Sequence, residues 1–337
     1  MPAISLVVCV YQQRDLMERL LAESHDCYDE LVVVYDGPES EPPSRDAQKN
    51  NLAEGRLPSH EFPELAVDFS NPERATNAAR FWTEKSGLAL PGSVYELVQN
   101  YHGRFFEGPR CFTHECQWPF PWSQCAHDWI LLLDSDEFPS LELKAWLKQF
   151  RAAPDLDQAS GYRCVWPLWD GEKAVTKKYP SGRLFLINRK RIRYFAMGEN
   201  RPSPDGVFHD LELVLHHRPK RRSYGFRNIF RKDGKHWRRR IAEALLRKPT
   251  DLSCWRWEND EWPLQWEQIR QQPFYTAIKR LGLGSFRALR DQWRCERRFF
   301  PAAAISGPLY HALICLEFKR QQKRIARQEA NRKSDHA

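Results

Sequence analysis

Asp128-Trp129-Ile130-Leu131-Leu132-Leu133-Asp134-Ser135-Asp136-Glu137 sets five apolar residues directly against four polar ones, three of them acidic. A continuous apolar run of this length reads as a strand buried on both faces, the kind found where helices cover a parallel sheet. The carboxylates follow where the strand runs out. Such a cluster is costly if buried and unpaired, and a bound divalent cation offsets that cost. Ser140 reads as the N-cap of a helix running to Phe150, with Leu141, Trp146, Leu147 and Phe150 on its apolar face.

Working outward, Ile4 to Val10 is a second apolar, β-branched run, and Gln12 to Ser24 carries Leu16, Leu20 and Leu21 on one helical face. Leu31-Val32-Val33-Val34-Tyr35 follows and ends in the turn signal Asp36-Gly37-Pro38. Strand, helix and strand in this order make a βαβ unit with a right-handed crossover. Asn71 to Gly87 is predicted helical, and Tyr162 to Leu168 and Leu184 to Ile187 are predicted strands; Gly37 to Phe69 has no clear period. The fold class is α/β. In open α/β sheets ligands bind beyond the carboxyl ends of the strands. Asp36 and the Asp134–Glu137 cluster both stand at such ends, which points to a polar ligand and a cation above the sheet.

The whole chain of 337 residues carries a net charge of +8, but unevenly. Residues 1–219 hold 24 Lys and Arg against 32 Asp and Glu, a net of −8; residues 220–337 hold 28 against 12, a net of +16. This asymmetry divides the chain into an acidic α/β domain, 1–219, and a basic, Trp-rich helical region, 220–337. Nine cysteines without a Cys-x-x-Cys pair read as reduced, packed thiols. Cys111, His114 and Cys116 match no common zinc spacing. No phosphate loop, no Gly-x-Gly-x-x-Gly after the first strand and no serine nucleophile elbow occurs. Met1-Pro2 leads straight into an apolar run without a basic segment, so a cytoplasmic protein is expected, either free or peripheral on the inner face of the membrane.

The order of these strands, with Asp36-Gly37 after the second and Asp134-Ser135-Asp136-Glu137 after the third, resembles the family 2 glycosyltransferases. The resemblance is strongest to the bacterial branch that builds lipopolysaccharide core and other cell-envelope glycans, and it spans roughly residues 3–219. It implies a GT-A (Rossmann-like) fold and an inverting transfer from a nucleotide-sugar donor, UDP-linked by default, to a hydroxyl of a glycan or lipid-linked acceptor. By the same resemblance Tyr11 and Asp36 line the base and ribose pocket, while Asp134 and Asp136 hold Mn²⁺ or Mg²⁺ and the donor diphosphate. Tyr35 stands where the family often has a first aspartate, which leaves base specificity open. Glu199 matches the family's catalytic base, and His216-His217, seventeen residues on, matches its histidine pair. His216, or failing that His217, would reach the metal or diphosphate. Asp205 and Asp210 are rivals to Glu199 as base, and Arg183 is a candidate diphosphate contact. Trp118, in the segment before the Asp-x-Asp strand, reads as a core anchor.

Beyond Pro219 the pattern is helical over 226–232, 235–247, 263–271, 274–281, 285–300 and 308–327, with a break at Gly282-Leu283-Gly284. Three partners suit a cationic, Trp-bearing region: an anionic membrane surface, nucleic acid, or solvent alone. Nucleic acid is disfavoured because no recognition motif is present. A nucleotidyltransferase on a similar sheet would carry a Gly-rich basic loop after its first strand, and Tyr11-Gln12-Gln13-Arg14 is not one. A non-enzymatic basic module is the remaining alternative.

Overall fold

The structure, a computed structural model, describes residues 2–37, 39, 82–108, 114–153, 159–194, 201–246 and 264–334. The apolar runs form β1 (Ile4–Val10), β2 (Glu30–Asp36) and β5 (Trp129–Leu132). Between them come α1 (Arg14–Ser24), β3 (Thr83–Glu84), α2 (Val94–Asn100), β4 (Arg104–Gly108), α3 (His114–Gln117) and α4 (Pro119–Gln124). After β5 follow β6 (Glu137–Pro139), α5 (Leu141–Ala152), β7 (Ala159–Val165), β8 (Ser181–Asn188), β9 (Ile192–Arg193), β10 (Ser203–Pro204) and β11 (Val207–His217). Among the described residues nine strands form one sheet in the order β3-β4-β2-β1-β5-β8-β7-β11-β6. This mixed α/β sheet is compatible with a Rossmann-like fold.

Alternation along each central strand divides the core in two. From β1, β2 and β5, the residues Ile4, Leu6, Val8, Leu31, Val33, Trp129 and Leu131 face α1, α2 and α5. Val7, Cys9, Val32, Val34, Ile130 and Leu132 face Phe120 and Trp122 of α4. Both faces are covered, which is why these strands read as unbroken apolar runs. Strands β4, β2, β1 and β5 run parallel, and β8 pairs antiparallel with β5. The chain passes from β1 outward through β2 to β4 and returns to β5 on the other side of β1. That reversal opens a crevice at the carboxyl ends of β1 and β5.

Ser140 caps α5, accepting a hydrogen bond from Leu143 N–H at 3.2 Å. Trp118 is buried in the core, stacked on Trp122. One expectation fails. The part of the predicted 71–87 helix that is described contains the strand β3, antiparallel to β4, where Trp82 stacks on Phe120 at 4.6 Å. Edge pairing overrides helix propensity there; residues 71–81 lie outside the described ones. The six described cysteines are free, five of them buried.

The last third forms α6 (Phe226–Phe230), α7 (Lys232–Leu246), α8 (Leu264–Gln271), α9 (Pro273–Lys279), α10 (Ser285–Glu296) and α11 (Pro301–Ser334). These helices bury a cluster of their own, including Ile241, Leu245, Trp266, Ile269, Ile314 and Phe318. Pro308 does not open the last helix but lies within it, and Gly282 and Gly284 do not break the chain. Arg280–Gly284 is a π-helical turn joining α9 to α10, where Gly284 lets the backbone approach Pro308. The bundle is tied to the sheet through Glu296, which accepts hydrogen bonds from the N–H groups of Lys177 and Lys178.

Gly161 on β7 lies so close to β8 that a Cβ there would run into the Leu186 carbonyl oxygen. Gly161→Ala is expected to destabilise the protein by about 1–3 kcal/mol, seen as a lower urea midpoint at unchanged slope.

Candidate functional site

The acidic turn after β5 is closed by its own backbone, with Glu137 N–H donating to the Asp134 carbonyl at 2.9 Å. Glu137 begins β6 and is completely buried. Its carboxylate accepts from Asp134 N–H at 2.9 Å and from Arg183 on β8, whose Nε and Nη2 donate at 2.7 and 2.8 Å. The same Nη2 lies 3.3 Å from Asp134 Oδ2. A planar guanidinium thus grips one carboxylate with two parallel bonds and reaches a second. Burial pushes the Glu137 carboxyl up and Arg183 pulls against it. For Arg183 burial works against the charge, yet Glu137 and Asp134 outweigh it and hold the guanidinium above its ordinary value. The sequence suggested Arg183 as a diphosphate contact. In the structure it holds the turn.

Asp136 meets the end of β11. Arg218 N–H donates to the Asp136 carbonyl at 2.7 Å, and His217, paired with Glu137 across the strands, brings Nε2 to 3.3 Å from Asp136 Oδ2. Trp166 stacks on the imidazole with centroids 4.1 Å apart and planes 14° from parallel, and the Arg183 guanidinium lies 5.7 Å from that indole. His217 Nδ1 is buried without a hydrogen-bond partner. His216, the first choice from sequence, is not at this site. Successive side chains on a strand point to opposite faces, so His216 lies on the other side, within the fields of Arg218, Glu23 and Glu142. Burial, then Arg218, lowers its pKa.

At the neighbouring strand ends, Asp36 is buried and accepts from Gln117 Nε2 at 2.8 Å, and the Tyr11 ring lies 6.1 Å from that of Tyr35. Gln13, after β1, meets the Ser135 hydroxyl. Burial raises the Cys9 thiol, and the carboxylates of Asp134, Asp36 and Glu115 raise it further, so these three groups surround one strand end. Asp36 and Asp134 thus stand near each other at the carboxyl ends of the strands flanking β1, with Glu115 beside them. Glu115 and the bond from Gln117 to Asp36 were not read from the sequence, because α3 shows no pattern that aims it at the site. Glu199 lies outside the described residues, as do the side chains of Cys111, His114 and Cys116. Its rivals Asp205 and Asp210 are paired on the surface with Arg193 and Arg163.

Among the described residues no group of three or more His, Cys, Asp or Glu side chains is assembled to hold a metal by itself. The expected set of Asp134, Asp136 and His216 is thus not brought together. Asp136 and His217 do offer one carboxylate oxygen and one imidazole nitrogen 3.3 Å apart. Adjacent ligands of an octahedral ion at about 2.1 Å are about 3.0 Å apart. The carboxylate oxygen suits a hard cation such as Mg²⁺ or Mn²⁺, whereas an imidazole nitrogen is the choice of softer transition ions.

No family model matches this chain, and no curated protein matches it. A crystal structure of S. aureus TarS overlaps it over 88% of this chain and 44% of that one, at 12% identity and a TM-score of 0.37. The chain thus spans less than half the length of that structure, and a likeness this distant carries no functional argument.

Arg183→Met strands a buried carboxylate and is expected to cost about 3–5 kcal/mol, whereas Arg183→Met with Glu137→Met recovers much of that loss. Urea denaturation of the parent, both single variants and the double variant measures the coupling.

Proposed function

We propose that this chain is a glycosyltransferase of GT-A type, moving a sugar from a nucleotide donor to a hydroxyl of a cell-envelope glycan or glycolipid, with inversion at the anomeric carbon. The observation that carries the proposal is the meeting of Asp136 and His217 at the switch-point crevice, beside Asp134 and one strand end from Asp36. In this reading Tyr11 and Asp36 receive the base and ribose, with Asp36 fixed by Gln117. Asp136 and His217 hold Mn²⁺ or Mg²⁺, with Asp134 alongside. When bound, the cation supplies charge neutralisation for the departing nucleoside diphosphate. Arg183 and Glu137 fix where Asp134 points, and Trp166 fixes the plane of His217; both act as positioning groups. Glu199, assigned by the resemblance to the family's base, takes the proton of the acceptor hydroxyl.

Titration calorimetry with UDP and GDP, with and without Mn²⁺, tests the site. Asp136→Asn and His217→Ala should each lose the metal-dependent part of binding, by about 100-fold or more, while His216→Ala keeps it. Trp166→Leu should weaken Mn²⁺-dependent binding by about tenfold while metal-independent nucleotide binding stays unchanged. Metal-independent binding in the parent, or loss in His216→Ala but not in His217→Ala, would overturn the assignment. Separately, Glu199→Gln is expected to retain donor binding and lose transfer by about 10²–10⁴-fold, measured with a panel of nucleotide sugars; full transfer removes Glu199 from the mechanism.

A further inference from the structure

Half of the sixteen large hydrophobic side chains exposed among the described residues lie between Phe274 and Phe299. Seven of them sit on the rod made by α9, the π-turn and α10, and Phe299 follows it. Its inner face, through Pro273, Thr276, Ala277, Gly284 and Gln292, is buried or packs toward α11. The outer face presents Phe274, Tyr275, Ile278, Leu283, Phe286 and Trp293, with Ile278 74% and Phe286 65% exposed. A plain α-helix turns 100° per residue, which would carry Phe286 about 120° round from Phe274. The wider π-turn between them unwinds the rod and returns part of that rotation, so both rings stand on the outer side.

Around this strip lie Lys279, Arg287, Arg294, Arg297 and Arg298, all exposed and without an ion pair among the described residues. The acids of the rod are engaged elsewhere: Asp291 pairs with Arg290 at 3.0 Å, and Glu296 accepts from Lys177 and Lys178. An apolar strip this long, rimmed by cations of one sign, is unusual on a face meant for water alone. No helix among the described residues is long and apolar enough to cross a membrane.

We infer that this face docks on an anionic lipid bilayer, its rings and Ile278 entering the headgroup boundary and its Lys and Arg side chains lying on the phosphates. The apolar residues supply the depth and the cations supply the preference for negative charge. A folded nucleic acid would meet the same cations but has no use for Ile278 and Leu283. The inference stands apart from the sugar-transfer reading, since no residue of the crevice takes part in it.

Sedimentation of the full chain with vesicles tests it. The parent is expected to sediment with phosphatidylcholine vesicles containing phosphatidylglycerol and not with pure phosphatidylcholine. Ile278→Ser with Phe286→Ser lowers that partition by about tenfold or more, and Arg287→Gln with Arg294→Gln lowers it by roughly fivefold per charge. Leu141→Ser, which alters an exposed leucine on α5, leaves it unchanged; circular dichroism and the urea midpoint report the fold of each variant. Equal binding to neutral vesicles, no binding to anionic ones, or an equal loss in Leu141→Ser would overturn the inference. So would retention by RNA that survives Ile278→Ser with Phe286→Ser, or a dimer in sedimentation velocity that those two substitutions dissociate.

Discussion

The grip of Arg183 on Glu137 is the constraint around which the crevice is organised. Glu137 is completely buried where β6 begins, and the cost of hiding its charge is offset by two guanidinium bonds and the Asp134 amide. That pairing fixes the turn from β5 into β6. The turn fixes Asp136, and the β6–β11 ladder brings His217 alongside it. Each step is a short geometric link, so a loosened guanidinium would be felt at the neighbouring carboxylate of Asp136.

The central strands were legible because they are covered on both faces, and unbroken runs such as Leu31 to Tyr35 admit few other readings. Asp36, Asp134 and Asp136 were legible as strand-end carboxylates, the positions where the fold class places ligands. The choice between His216 and His217 was not. Adjacent residues on a strand differ only in face, and the face is set by pairing with β6, a strand of three residues that carries no pattern of its own. Arg183 was singled out from the sequence, but its bonds to Glu137 were not read. From the sequence its reach toward Glu137 cannot be told from a reach toward a ligand, because β8 and β6 come together only in the folded chain.

The helical third shows a similar limit. Gly282 and Gly284 read as a break because glycine lowers helix propensity, yet the backbone continues through a π-turn. Close approach to Pro308 explains the demand for a small residue at Gly284. The charge count did carry information: the excess of Lys and Arg beyond residue 219 includes an exposed rim on one rod, while in the sheet region Arg183, Arg189 and Arg151 are engaged with carboxylates or carbonyl oxygens.

Charge balance limits what the crevice can accept. Asp134, Asp136 and Glu137 bring three negative charges, and Arg183 returns one. Asp134 and Asp136 remain beside that pair, and in the proposed reaction one divalent cation would balance them. Without Arg183, burial would drive the Glu137 carboxyl toward its neutral form, and the turn would lose the ion pair that holds it. The arginine therefore does more than brace the fold. In the proposed reaction its pairing with Glu137 inside the core leaves Asp134 and Asp136 for the cation that would receive the donor diphosphate.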